Sequence, residues 1–191
     1  MRCGKLLEKG EIEYCRDCKK TVHSFDRGRA LYVYNDTVKA AITRFKFGNR
    51  PEYAGYFGEQ TTSHLGDFIM NSRPDAIVPV PVSKEKLKRR GYNQAELLAR
   101  QISSRTGIPV NTSMVTRIQD TTPMKELGRA ERMKNLKGVF KVGVIDVECR
   151  NVLVVDDIYT TGSTMDAMAD VLKQNGVERV FFVTLAAGIS V

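Results

Sequence analysis

At 191 residues, 42% of them hydrophobic, the chain is long enough for one α/β domain with a small appendage. No apolar run approaches the ~18–20 residues that span a bilayer, and the opening Met-Arg-Cys-Gly-Lys lacks the apolar core of a signal peptide, so no membrane-spanning helix and a cytoplasmic protein are expected. Thirty Lys and Arg against twenty-two Asp and Glu give +8 at pH 7, a balance that favours anionic partners (phosphates, nucleic acid, an acidic protein surface) without choosing among them.

Residues 1–27 are polar, charged and hold three of the four cysteines, Cys3, Cys15 and Cys18. In a cytoplasmic chain such cysteines point to metal or free thiols before disulfides. Cys15-Arg-Asp-Cys18 has the spacing of a zinc knuckle, and Cys3-Gly4-Lys5 looks like the tail of another. Structural zinc takes four ligands. His23, five residues past Cys18, is the nearest candidate for the fourth; a cysteine upstream of Met1 is the alternative, and a knuckle without metal is the bland one. Cys149 precedes a core strand and reads as a buried structural thiol.

The body alternates strand and helix signals. Residues 29–34 are β-rich, and Val38, Ala41, Ile42 and Phe45 recur with helical spacing before Gly48. A second helix is expected from Tyr53 to about Gly66, then a buried strand over 75–80. After Pro-Val-Pro-Val-Ser comes a basic segment with Lys84, Lys86, Lys88, Arg89 and Arg90, expected as a loop, the alternative being a solvated basic helix. Ala95, Leu98, Ala99 and Ile102 predict a helix with Asn93 as N-cap, Glu96 completing a capping box and Gly107 as terminator. Strands are expected over 110–117 and 139–144, on either side of a long polar segment, 119–136, that carries Lys125, Arg129, Arg132 and Lys134. A strand over 152–155, a helix with Met165, Met168, Ala169 and Leu172 on one face, and a strand over 180–185 complete the chain. Such alternation predicts a mainly parallel sheet flanked by helices.

Residues 152–164 read Val-Leu-Val-Val-Asp-Asp-Ile-Tyr-Thr-Thr-Gly-Ser-Thr. A buried strand ends in two carboxylates, followed by a hydroxyl-rich turn that opens a helix. Backbone N–H groups at a helix N-terminus favour an anion. Thr160, Thr161, Ser163 and Thr164 add hydroxyl donors, and Gly162 permits close approach of the backbone to a phosphate. Asp156 and Asp157 are placed to accept hydrogen bonds from vicinal ribose hydroxyls. An apolar strand ending in Asp-Asp also occurs in P-loop ATPases, but the Gly-x-x-x-x-Gly-Lys-Ser/Thr cradle is absent from the sequence, as is a Gly-x-Gly-x-x-Gly fingerprint.

This stretch resembles the 5-phosphoribosyl-1-pyrophosphate (PRPP) loop of type I phosphoribosyltransferases. The resemblance implies that fold, with Asp156 and Asp157 as catalytic residues and Thr160, Thr161, Gly162, Ser163 and Thr164 as PRPP-binding ones. It also implies a pyrophosphate loop after the 75–80 strand, with Arg90 as its contact, and a hood over 119–136 that brings Lys125 and Arg132 to pyrophosphate. Taken with Cys15-Arg-Asp-Cys18, Arg90-Gly-Tyr-Asn-Gln-Ala-Glu-Leu-Leu-Ala-Arg100, residues 129–135 and Lys137-Gly-Val-Phe140, the chain is similar to the ComF family, competence-associated proteins with a zinc ribbon ahead of a phosphoribosyltransferase domain. A zinc-ribbon-like segment over 1–27 and a phosphoribosyltransferase-like domain over 28–191 follow, with Zn²⁺ expected on Cys3, Cys15 and Cys18 and with His23, from its spacing, the candidate fourth ligand.

The resemblance implies Mg²⁺-dependent transfer of a phosphoribosyl group to an open acceptor, in support of DNA uptake. Its rival is a non-catalytic PRPP-fold module that docks a competence helicase or translocase, or makes a weak single-stranded DNA contact. With no Trp and scattered tyrosines, stacking platforms for a single strand are few.

Overall fold

Val152, Leu153, Val154 and Val155 are all fully buried, a continuous apolar run that only a strand covered on both faces hides. The computed structural model describes residues 2–7, 14–118, 138–143 and 149–189. Along these the chain forms α1 (Arg16–Lys20), β1 (Arg27–Val33), α2 (Asp36–Phe47), α3 (Tyr53–Asn71), β2 (Ala76–Pro79), α4 (Lys84–Arg90), α5 (Gln94–Thr106), β3 (Val115–Arg117), β4 (Phe140–Val142), β5 (Asn151–Tyr159), α6 (Ser163–Lys173) and β6 (Arg179–Ala187). Four strands make one sheet in the order β1-β6-β5-β2, every pairing parallel. Strands β3 and β4 pair antiparallel in a separate ribbon.

Alternation along the strands sorts the core into two layers. Val152 and Val154 of β5, with Val180 and Phe182 of β6, pack on Met165, Met168, Ala169 and Leu172 of α6. Leu153 and Val155, with Phe181 and Val183, pack on the other face against Ile42, Phe45, Phe57, Leu98 and Ile102 of α2, α3 and α5. The N-terminal segment joins the first layer through Cys3, Cys15 and Phe25, and Gly28 N–H donates to the Arg2 carbonyl at 2.7 Å.

Several elements differ from expectation. Helix α3 continues past Gly66 to Asn71. The basic segment is the helix α4, not a loop, because Ser83 caps its start and Gly91 ends it in the left-handed region at φ 81°. Asn93 does cap α5 by accepting from Ala95 N–H, but Glu96 turns to Arg100, accepting from Nη2 at 2.7 Å. Strand β5 continues beyond Val155 to Tyr159.

Gly28 is required by its neighbour. A Cβ there would lie 2.1 Å from the Phe182 ring, and that ring is held by Phe25 edge-on at 4.8 Å and Tyr159 stacked at 5.1 Å. Gly28→Ala is expected to destabilise the fold by about 1–3 kcal/mol, the usual cost of overpacking. Chemical denaturation checks this, and an unchanged midpoint would show that the ring yields.

Candidate functional site

The site lies where β5 outruns its neighbour. Strand β2 stops at Pro79, opposite Val155, so Asp156 and Asp157 project past the edge of that pairing while β6 still runs alongside, Thr184 opposite Asp156 and Ala186 opposite Ile158. In an open parallel sheet ligands bind beyond the carboxyl ends of the strands. Asp157 meets Lys46 of α2, with Nζ 2.7 Å from Oδ1 and both side chains largely enclosed. Asp156 turns back to accept from the Asp157 N–H at 2.8 Å. Burial, and then the charge of Asp157, push Asp156 up to about 7, against the pull of Lys46 and Arg117.

Arg90 stands at the end of α4 with its guanidinium 4.6 Å from the centre of the Phe47 ring. Its Nη1 donates to Gln94 Oε1 at 2.9 Å. Burial lowers its pKa while Asp157 raises it. Lys46 and Phe47 were not among the residues singled out from sequence. Phe45 turns inward to the core and Phe47 outward, but only the tertiary fold brings Lys46 to Asp157 and Phe47 to Arg90. The Tyr92 hydroxyl fixes this end of α2 by donating to the Phe45 carbonyl.

The turn after β5 is built as expected in part. Thr161 and Ser163 share a hydroxyl hydrogen bond at 2.9 Å, and α6 starts at Ser163 with Gly162 before it at φ 82°. The space that a Cβ on Gly162 would fill belongs to the Tyr159 hydroxyl, 2.7 Å away, and to the His23 ring, 3.0 Å away. The glycine is thus required by contacts within the protein, on top of any ligand. Thr160 is exposed and Thr164 half-buried at the head of α6. Lys125 and Arg132 lie outside the described residues.

Cys3, Cys15 and Cys18 come together, their Sγ atoms all within 4.8 Å of one another. Cys3 and Cys15 are 3.4 Å apart. Thiolates on one zinc at ~2.3 Å sit about 3.8 Å from each other, so three sulfurs suit such an ion with little rearrangement. The hydrogen bond with Cys18 lowers the Cys3 thiol to about 5, whereas burial raises Cys15 and the bond to Cys3 raises Cys18.

His23 does not join this group. Spacing along the chain placed it with the cysteines, but the fold turns its ring to α6, where Nδ1 lies 2.9 Å from Asp166 Oδ2 in a buried pair. The Ser24 N–H donates to the same carboxylate at 3.0 Å. Tyr159, stacked on Phe182, lies between the cysteines and the turn, and its hydroxyl is raised by burial and by the charges of Cys3 and Cys18.

Residues 69–190 match the phosphoribosyl transferase domain. With a parallel sheet and an acidic pair leading into a hydroxyl-rich turn, this defines a type I phosphoribosyltransferase fold. The chain is 32% identical to competence protein F of Haemophilus influenzae over 188 residues, covering 93% of this chain and 80% of that protein. It is 29% identical to competence protein ComFC of Bacillus subtilis, covering 85% and 67%, and 30% identical to DNA utilization protein YhgH of Escherichia coli K12, covering 87% and 74%. The chain belongs to the ComF family. Among solved structures, a purine phosphoribosyltransferase from Pyrococcus horikoshii OT3 is similar over 69% of this chain and 73% of its own, at 18% identity and a TM-score of 0.44. Among the described residues no helix is long and apolar enough to cross a membrane.

The raised Asp156 has a sign that stability measurements read. Folding takes up a proton there between the ordinary value of 3.8 and about 7, so the stabilisation is complete at low pH and lost as pH rises toward 7. Asp156→Asn is expected to flatten that decline, which is bounded by about 1.4 kcal/mol per pH unit. Urea denaturation of both proteins across this range checks it; parallel profiles would place the pKa in the ordinary range.

Proposed function

We propose that the chain binds PRPP and transfers its phosphoribosyl group to a nitrogen acceptor, as part of the DNA uptake or use named in its relatives. The observation that carries this reading is the acidic pair of β5, beyond the end of β2 and ahead of the turn that opens α6, with Lys46 on Asp157. Thr160, Thr161, Ser163 and Thr164, with the N–H groups at the head of α6, hold the 5′-phosphate. Asp156 and Asp157 accept from the ribose hydroxyls and fix the ring. As the bond from C1 to pyrophosphate oxygen breaks, its electron pair leaves with pyrophosphate, and the carboxylates oppose the positive charge left on the ribose. The acceptor nitrogen forms the new bond to C1 and gives up its proton to solvent. Lys46 and Arg90 face the departing anion, and Lys125 and Arg132 remain proposed contacts for it. Mg²⁺, a hard cation suited to pyrophosphate and ribose oxygens, supplies charge neutralisation when bound.

Zn²⁺ is proposed on Cys3, Cys15 and Cys18 as a structural ion, the donor set and sulfur spacing fitting it. A second reading has the chain act by docking a protein in place of catalysis. It is favoured by exposed Leu6, Tyr14 and Val22, three large apolar residues of the cysteine-bearing segment.

Calorimetric titration with PRPP and Mg²⁺ is expected to show saturable binding that Asp156→Asn/Asp157→Asn abolishes with folding intact. Absence of binding to the parent protein would remove the transferase reading and leave docking. About one zinc per chain is expected in the purified protein, and little in Cys15→Ser/Cys18→Ser; a metal-free parent of undiminished stability would overturn the zinc proposal.

A further inference from the structure

At the end of the sheet opposite the acidic pair, where β1 and β6 begin, lies a cavity of about 520 Å³ lined by Arg27, Arg179, Phe68, Phe181 and Asn71, with Asp26 and Ser72 at its border. That volume is in the range of small-molecule pockets. Side chains alternate along a strand, so Arg27 and Arg29 share a face of β1 with Leu31, which packs in the layer of α3. Arg179 likewise shares a face of β6 with Phe181 of that layer, and the register sets Arg27 opposite Phe181. Three guanidinium groups therefore gather on one side of the sheet. Arg29 covers the Phe68 ring at 5.0 Å, and Phe68 meets Phe181 edge-on at 6.4 Å. Burial, and next the charge of Arg27, lower the Arg29 pKa, a sign that the cations repel one another.

Neighbouring groups do not neutralise this charge. Asp26 is engaged by Lys173 at 2.8 Å and by the Val180 N–H, also at 2.8 Å. Glu178 pairs with Arg150. The carbonyls of Phe68, Ile69 and Met70, in the last turn of α3, already accept from the N–H groups of Ser72 and Arg73, so the arginines are not its cap. Arg27, Arg179 and Asn71 are exposed, and their side chains make no hydrogen bond or ion pair among the described residues.

We propose that this cavity binds a small organic phosphate carrying a planar ring, a nucleoside monophosphate in kind. Its phosphate lies between Arg27 and Arg179, whose forked donors suit phosphate oxygens. Its ring lies on the open part of Phe68 and against Asn71, whose amide offers a donor and an acceptor to a base edge. Free guanidinium groups over an aromatic floor call for charge and flat apolar surface in one ligand, and inorganic phosphate supplies only the first. A nucleic-acid strand is disfavoured, because it stacks on successive platforms and the two rings here meet edge-on as one. This site is separate from the acidic pair: Asp156 lies opposite Thr184, five residues along β6 from Arg179, or about 17 Å at a strand's rise of ~3.3 Å per residue. The proposal is independent of the PRPP reading.

The test uses the full chain in three forms: parent, Arg27→Gln/Arg179→Gln and Asp156→Asn/Asp157→Asn. Each is titrated calorimetrically with AMP, ribose 5-phosphate, inorganic phosphate and a dT12 oligonucleotide at one ionic strength. Both arginines are exposed, so the first variant is expected to keep the parent's thermal midpoint. Expected is an AMP site on the parent, at least about fivefold tighter than for ribose 5-phosphate. It weakens at least about tenfold in the arginine variant and is unchanged in the aspartate variant. AMP binding that is unaltered in the arginine variant, or lost in the aspartate variant, overturns the proposal, as does a parent that binds no AMP. Equal affinity for AMP, ribose 5-phosphate and inorganic phosphate overturns the part given to the ring. Binding of dT12 through the arginines without binding of AMP overturns the proposal in favour of a strand.

Discussion

Asp156 and Asp157 put two carboxyl groups on consecutive residues of a strand, directly after four residues that are fully buried. Burial and mutual repulsion both favour the neutral form, and Asp156 is accordingly raised to about 7. What compensates them comes from elsewhere in the chain: Lys46 from the end of α2 and the fields of Arg90 and Arg117. The placement of α2, the junction of α4 with α5, and the β3–β4 ribbon are in this sense conditions for keeping an acidic pair at that spot. A ligand with cationic character at its reacting carbon and anionic groups at both ends meets the same pattern of charge from the opposite side.

A second set of contacts secures the turn from behind. Asp166, in the first turn of α6, receives both the His23 ring and the Ser24 N–H. Tyr159 and His23 occupy the space above Gly162. Phe25 stacks on His23 at 4.6 Å and meets Phe182 edge-on. The cysteine-bearing segment and the turn therefore share a wall of aromatic rings, and the thiols act on Tyr159 through their charge.

Much of the architecture was legible from local pattern. The four valine and leucine positions of β5, the helical period of α2, α5 and α6, and Asn93 and Gly107 at the ends of α5 each encode their own structure within a few residues. The acidic pair and hydroxyl turn were legible because all their parts are contiguous. Lys46 and Phe47 were not, since their role depends on which strand lies beside which. His23 illustrates the limit most clearly. Sequence proximity to Cys18 suggested a shared ion, yet its partner is 143 residues away, on α6. Glu96 offers a smaller case: the capping-box spacing was present, but an arginine one turn on attracted the carboxylate.

The filled space above Gly162 has an evolutionary consequence. The room for any side chain there is taken by a histidine from the opening segment and a tyrosine from the sheet, so the turn and that segment are obliged to change together. A shuffled descendant that kept the sheet and its helices but exchanged the first two dozen residues for another module would inherit a hole beside this turn, and the turn would lose its shape before it lost any residue of its own.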